Sequence, residues 1–321
     1  MRGGRAGGHD ERGQNRVQTT LRNSATLRGT GLHGGADVRV TLAPAQPGTG
    51  IVLHRHDLPG SPAMPALWHS VDPIPLCTRL AAPDGTHLAT VEHLMAALAG
   101  CGVTNARVLV TGPELPALDG SAKPFVEAIA AAGLRRQAAP LRALEVLRPV
   151  EVSDGTAGAR LEPADRTIIG FEIRFPDRAI GHQALEADLS GDMFVRDFAD
   201  ARTFCRASDV AHMRAQGRAL GGTLDNAVVV EGEEILTPGG LRHADEPVRH
   251  KILDALGDLA LAGGPLFGRY TGRRAGHALT LRLLSALFAT PGAVRWVTCD
   301  AAMAARLPHL PRGRDAIADV A

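Results

Sequence analysis

Lysine is almost missing from this chain of 321 residues: only Lys123 and Lys251 occur, beside abundant arginine. The excess of Arg, Ala and Gly points to a GC-rich coding sequence, and it makes the position of Lys251 worth noting. Cysteine is scarce too. Cys77, Cys101, Cys205 and Cys299 are widely spaced, with no C-x-x-C, so they read as small buried hydrophobes or reduced bystanders, and any metal must use nitrogen and oxygen ligands. Net charge is only +1, which removes the bulk electrostatic case for a nucleic-acid partner. No apolar run approaches the roughly 20 residues that span a bilayer. The opening MRGGRAGGHDERGQNR carries charge but no apolar h-region, so it reads as a disordered tail rather than a secretory signal, and the chain is expected to be cytoplasmic. No G-x-G-x-x-G follows a strand and no G-x-x-x-x-G-K-[ST] is present, which argues against a dinucleotide-binding dehydrogenase or a P-loop kinase.

What is present begins with length and periodicity. The length suggests two domains, and an apolar fraction of 45% with 21% charged residues is ordinary for a globular protein. After the tail, TTLRNSATLRGTGLHGGADVRVTLAPA reads as two short strands around a Gly-rich turn, Gly31 to Gly35, and IVLHRHDL continues the strand pattern. Thr90 is the expected N-cap of a helix through VEHLMAALAG that stops at Gly100 to Gly102. NARVLVTG predicts a strand, and DGSAKPFVEAIAAAGL a second helix ending at Gly133. RRQAAPLRALEVLRP, polar at its start and containing Pro140, is the best linker candidate. The second half echoes the first. ARLEPADRTIIGFEIRFPDRAIG holds two strand-like runs, EPVRHKILDALGDLALAGG an amphipathic helix stopped by Gly263 and Gly264, LFGRYTG a strand, and GHALTLRLLSALFA a closing helix. This repeated order predicts two copies of one α+β unit. The expected boundaries are a tail over 1–16, a first domain over 17–137, a second over 138–300 and a C-terminal tail over 301–321.

Two short motifs carry the chemistry. His250 and Asp254 stand at i and i+4, with Cβ atoms roughly 6 Å apart on one helix face, close enough to reach one metal ion. Ile252, Leu253, Leu256, Leu259 and Leu261 anchor that helix in a core, and Asp258 follows one turn on. Read alone, the pair is more simply an ordinary i,i+4 contact on a helix surface. Glu92 directly before His93, at a helix start, puts a base beside a candidate ligand. Zinc hydrolysis needs such a carboxylate, because the metal lowers the pKa of its water to about 7 and the proton must go somewhere. Alone, the simpler reading is that Glu92 complements the helix dipole while His93 caps a core face. Together the motifs supply His93, His250 and Asp254, three ligands with a fourth position open, the pattern of a catalytic zinc site. They fall in matching helices of the two halves, where a shared cleft is expected. His277 opens the last helix after a Gly-containing turn. It reads either as a general acid or oxyanion stabiliser oriented by Asp258, or as a solvated histidine. Thr203 and Gly221-Gly222 either line a substrate channel or are loop residues.

Six ordered segments then carry a family resemblance: GTGLHGG (29–35), the run TVEHLMAALAGCGVTNARVLVTGPELPALDGSAKPFV (90–126), ARTFCRASDV (201–210), LGGTLDNAVVV (220–230), the stretch from Leu241 to Gly263, and AGHAL (275–279). In order and spacing the chain resembles the UDP-3-O-acyl-N-acetylglucosamine deacetylases, zinc amidases that commit Gram-negative bacteria to lipid A synthesis. The resemblance implies an α+β fold of two similar domains, each a small sheet with paired helices and a small insert, the helices sandwiched between the two sheets. It implies zinc bound by His93, His250 and Asp254, with iron(II) compatible with the same ligands. Glu92 would be the general base. His277, paired with Asp258, would stabilise the oxyanion or protonate the leaving amine. Thr203 would assist at the amide carbonyl, and Lys251 would sit near the sugar-phosphate. His33 and Phe175 would line the substrate site, Phe175 stacking on uridine, while Phe204 and Gly222 would belong to the passage for the 3-O-acyl chain. The partner would be an acylated UDP-sugar, taken by a monomer, with acetate released.

The chain departs from the family pattern in four places. Phe175-Pro-Asp-Arg178 stands where Phe-x-His-Pro is usual, Gly34 where Thr is, Pro247 where Phe is and Thr280 where Asn is. None of these is a proposed ligand or Glu92. The first departure leaves room for a zinc amidase acting on another N-acyl sugar. A catalytically silent zinc protein would have lost a ligand or the base, and all five of Glu92, His93, His250, Asp254 and His277 are present.

Overall fold

The computed structural model of the protein describes residues 17–311 and 317–318, so the tail expected over 1–16 lies outside the described residues. The fold is mixed α/β. Its helices among the described residues are α1 (Glu92–Gly100), α2 (Lys123–Ala132), α3 (Met193–Asp197), α4 (Ala207–Ala215), α5 (Glu246–Ala260), α6 (His277–Ala289) and α7 (Ala301–Ala305).

Two larger sheets carry these helices. The first has five strands in the order Ala25–Thr30, Asp37–Pro44, Ala106–Val110, Ile51–Arg55 and Ala63–Pro65. Alternation makes its inner face: Val38, Val40 and Leu42 are buried while Asp37 and Arg39 point outward, as a half-buried strand requires. Helix α2 packs on the edge strand Ala25–Thr30 and beside α1. The second sheet has seven strands around Leu266–Arg273, which pairs antiparallel with Ala157–Glu162 and parallel with Thr167–Arg174 and Arg142–Val146. Helix α5 lies on Thr167–Arg174, and α6 on the hairpin Val150–Asp154/Ala157–Glu162. Helices α1 and α5 then pack against each other. They approach closely because Gly257 has no side chain: a methyl there would run into the Glu92 carbonyl oxygen. One continuous core, including Leu94 and Leu98 of α1 and Leu253 and Leu256 of α5, runs through both sheet-and-helix assemblies.

Three expectations need correcting. The stretch expected as a linker is two strands, Leu134–Pro140 and Arg142–Val146. Its arginines are surface groups, while Gln137 is buried and its amide donates to the Ala45 carbonyl at 2.8 Å. The expected boundary between 137 and 138 therefore falls inside a strand. Thr90 does not cap α1. Val91 holds that position, and Thr90 adopts a left-handed φ of 59° with its hydroxyl donating to Glu114 Oε1 at 2.9 Å. The segment expected as a C-terminal tail begins as the packed helix α7, with Ala304 and Leu307 buried against Leu141 and Phe267.

Smaller elements border the α1–α5 contact. Arg79–Ala81 pairs with His87–Ala89, and Phe204–Arg206, Val228–Glu231 and Glu234–Ile235 form a three-stranded sheet next to α4.

Candidate metal centre and active site

The start of α1 and one face of α5 meet at a buried group of nitrogen and oxygen atoms. His93, His250 and Asp254 each offer a ligand atom, all within 4.8 Å of one another. Nε2 of His93 lies 3.5 Å and Nε2 of His250 3.3 Å from the same oxygen, Asp254 Oδ1. The imidazoles stand nearly perpendicular, at 87° with ring centroids 5.0 Å apart. That shared oxygen is buried and accepts no hydrogen bond. Three side-chain atoms of ligand type thus converge, an arrangement that fits a divalent cation.

The supporting groups aim these atoms. His250 Nδ1–H donates to the Ala201 carbonyl at 3.0 Å, which leaves the Nε2 lone pair for a metal. Burial drives the His250 ring down to about 4 against the attraction of Asp254, so it is neutral, as a ligand must be. Lys251 Nζ donates to Asp254 Oδ2 at 2.8 Å, holding the second oxygen and turning Oδ1 to the histidines. Burial opposes the charge on Asp254, yet the carboxyl is held well below the usual range, and with His250 neutral the positive charge beside it is the Lys251 ammonium. Lys251, expected near the sugar-phosphate, also lies over the Phe171 ring, 5.6 Å from its centroid. Its ammonium is engaged with the Asp254 carboxylate.

Glu92 and His277 flank the group. Glu92 is buried, and burial raises its carboxyl above the ordinary value although His277 and His93 oppose the shift. His277 opens α6, as expected, and its Nδ1–H donates to Asp258 Oδ2 at 2.8 Å. Burial disfavours its charge, yet Asp258, with help from Glu92 and Asp254, pushes the imidazole up to about 9. His277 is thus an imidazolium at neutral pH, its Nε2 3.9 Å from Glu92 Oε1 and 4.0 Å from Asp254 Oδ2.

The remaining expected residues fall into two further clusters. Phe204 meets His250 edge-on at 6.3 Å between centroids, and Phe175 meets Phe204 at 5.4 Å, so an aromatic series runs outward from His250. Thr203 is pinned by its backbone, its N–H donating to Gly120 O and its carbonyl accepting from Val228 N–H, both at 2.8 Å. In the Phe175-Pro-Asp-Arg178 turn, Asp177 accepts from Arg206 Nε and, at 3.0 Å, from Gly232 N–H, while Arg178 pairs with Glu233 at 2.6 Å. His33 and Gly222 form the other cluster. The Gly-rich turn docks on the 220–222 loop through Leu220 N–H to His33 O and Gly221 N–H to Leu32 O, both 3.1 Å. Both ring nitrogens of His33 are buried without a hydrogen-bond partner.

Four polar residues that shape the site were not among the sequence candidates. Glu114 accepts from the His33 and Gly34 N–H groups, each at 2.8 Å, and from Thr90, tying the Gly-rich turn to the start of α1. Arg202 and Glu246 form a buried pair at 2.8 Å beside the Ala201 carbonyl that orients His250. Thr78 contacts both Glu92 and Asp258. Only Glu246 carried a sequence signal, as an acid in the first turn of α5.

Comparison with known proteins bears on this geometry. A family model described as LpxC: UDP-3-O-acyl N-acetylglycosamine deacetylase matches residues 18–289. The chain is 47% identical over 283 residues to the UDP-3-O-acyl-N-acetylglucosamine deacetylase of Phenylobacterium zucineum (strain HLK1), covering 87% of this chain and 95% of that protein. It is 43% identical over 285 residues to the protein of the same name from Shewanella sp. (strain ANA-3), covering 88% and 93%.

Proposed function

The chain belongs to the UDP-3-O-acyl N-acetylglycosamine deacetylase family, and from that premise we propose that it hydrolyses the N-acetyl amide of UDP-3-O-acyl-N-acetylglucosamine. Acetate leaves, and the product enters lipid A biosynthesis as its committed precursor. The observation that carries the assignment of the site is the convergence of His93, His250 and the orphaned Asp254 Oδ1, with a raised carboxyl and an imidazolium on either flank.

Zinc is the proposed occupant, held by His93, His250 and Asp254, and iron(II) suits the same donors. When bound, such an ion supplies Lewis acidity toward the amide carbonyl and lowers the pKa of water. Glu92 takes the proton from the attacking water; its raised pKa makes it a stronger acceptor than an ordinary carboxylate. The His277 imidazolium, fixed by Asp258, meets the negative charge on the carbonyl oxygen or delivers a proton to the departing amine. Thr203, pinned by its backbone on both sides, adds a hydroxyl at the carbonyl. Lys251 holds Asp254 in its ligating orientation and brings positive charge toward the sugar-phosphate. Phe175 offers a stacking face for uridine, Phe204 and Gly222 border the acyl passage, and His33 lines the same pocket.

The two sheet-and-helix assemblies are read as two domains that join between the strands Leu134–Pro140 and Arg142–Val146, with the helices layered between the sheets and each domain bearing an insert. The reading also takes the protein as a cytoplasmic monomer; no helix among the described residues is long and apolar enough to cross a membrane. Glu92→Ala tests the mechanism: it keeps its metal and loses at least about 100-fold in kcat, the usual worth of a general base. Turnover like that of the unaltered enzyme would remove Glu92 from the mechanism.

A further inference from the structure

Glu92 and His277 reach the site from different helices, yet one residue outside both helices ties them together. Thr78 precedes the short strand Arg79–Ala81 and is fully buried. Its backbone N–H donates to Glu92 Oε2 at 3.0 Å, and its hydroxyl donates to Asp258 Oδ1 at 2.6 Å. Asp258 Oδ2 receives the His277 Nδ1–H at 2.8 Å, and His277 Nε2 faces Glu92 Oε1 at 3.9 Å. The four residues therefore close a ring. Each carboxylate commits one oxygen to Thr78 and turns the other to His277. Thr78 is itself held, because the Val91 N–H at the start of α1 donates to its carbonyl at 3.2 Å.

The physical effect follows from the two-fold symmetry of a carboxylate. A buried carboxylate with donors on only one side can rotate and exchange its oxygens, and its partner moves with it. A donor fixed on the second oxygen removes that freedom. For Glu92 the Thr78 N–H leaves Oε1 as the oxygen free to take a proton. For Asp258 the Thr78 hydroxyl leaves Oδ2 to hold the imidazole. We infer that Thr78 is a positioning residue for the hydrolysis: a single buried residue sets how the proton acceptor Glu92 and the proton donor His277 face each other. This rests on the deacetylase reading above, and Thr78 acts through Glu92 and Asp258 rather than on the substrate.

Thr78→Val keeps the shape and the backbone N–H but removes the donor to Asp258. It lowers kcat roughly 10- to 100-fold, the range for losing a hydrogen bond to a charged group, with KM and bound metal unchanged. Thr78→Ser restores most of the loss. In an Asp258→Ala background the valine substitution costs little more, since the route it breaks is already gone. In the histidine-labelled NMR spectrum of the metal-free protein, the His277 Nδ1–H resonance moves in Thr78→Val and not in Thr78→Ser. If the valine variant does not fold, Thr78→Ala carries the same expectations. A valine or alanine variant with unaltered kcat overturns the inference, as does a serine variant that falls as far as valine, or an effect on KM alone. An unaltered enzyme that fails to deacetylate the UDP-linked sugar would instead sink the deacetylase reading, and the NMR comparison would still decide whether Thr78 holds His277.

Discussion

Asp254 divides its two oxygens between opposite duties. Oδ2 is satisfied by Lys251, while Oδ1 is buried beside two histidine nitrogens with no donor. An unsatisfied buried acceptor costs on the order of 1–3 kcal/mol, more when charged, a cost that a cation held between Oδ1 and the two imidazoles would relieve. Asp254→Asn keeps the shape but removes the charge; bound metal after dialysis falls at least about tenfold in apparent affinity and turnover falls with it. A variant that retains full metal would show that Asp254 is not a ligand. His93, His250 and Asp254 were legible in the sequence because one pair is fixed by helical spacing and the other member follows Glu92 at a helix start. Thr78, Glu114 and Arg202 were not. Their contacts join residues 14, 24 and 44 positions apart, to Glu92, Thr90 and Glu246 respectively, and no periodicity encodes such separations.

At the level of elements, the site is made where α1 and α5 meet, and Gly257 sets how closely. Alanine is the better helix former by about 1 kcal/mol, so Gly257→Ala would stabilise an isolated α5. Here the added methyl meets the backbone carbonyl of Glu92, which no rotamer change relieves, and overpacking of this kind costs about 1–3 kcal/mol. The expected outcome is a lower Tm together with weaker metal binding, because relief of the clash moves His93 away from His250 and Asp254. An unchanged metal affinity would show that the helix spacing is not what assembles the ligands. Helix α5 was readable from its apolar spacing and from Gly263 and Gly264 beyond it. The strand Leu134–Pro140 was not, since Arg135, Arg136 and Pro140 resemble a linker when the pairing with Val17–Leu21 is unseen. Thr90 was misread for a related reason: its hydroxyl serves the distant Glu114 instead of the adjacent helix.

For the whole molecule, carboxylates bound to arginine predict the response to acid. Asp165 is lowered to about 2 by Arg166 and Arg306, and Asp177 is lowered by Arg206. Burial raises Glu246, but Arg202 outweighs it and the net shift is downward. A carboxyl whose folded pKa lies below its unfolded value contributes stability above the unfolded pKa and loses it as pH falls through the folded one. Thermal stability therefore falls between about pH 4.5 and 2, and Glu246→Gln makes that fall shallower while lowering the plateau. An equally steep acid limb in that variant would show that the buried Arg202 pair contributes nothing to it. That the fold mixes helices and sheets was legible from the succession of helix and strand signals. The extent of the second sheet was not, because its strands His182–Asp188 and Val294–Thr298 hold no fully buried residue and find partners only in three dimensions.

Dependence of amide hydrolysis on an ion held by His93, His250 and Asp254 is tested most directly by following deacetylation of UDP-3-O-acyl-N-acetylglucosamine while the protein is stripped by a chelator and then titrated with zinc. Turnover is predicted to fall to background, to recover in proportion to bound metal, and to saturate near one ion per chain. Protein that carries no metal and still turns over at the full rate would contradict it.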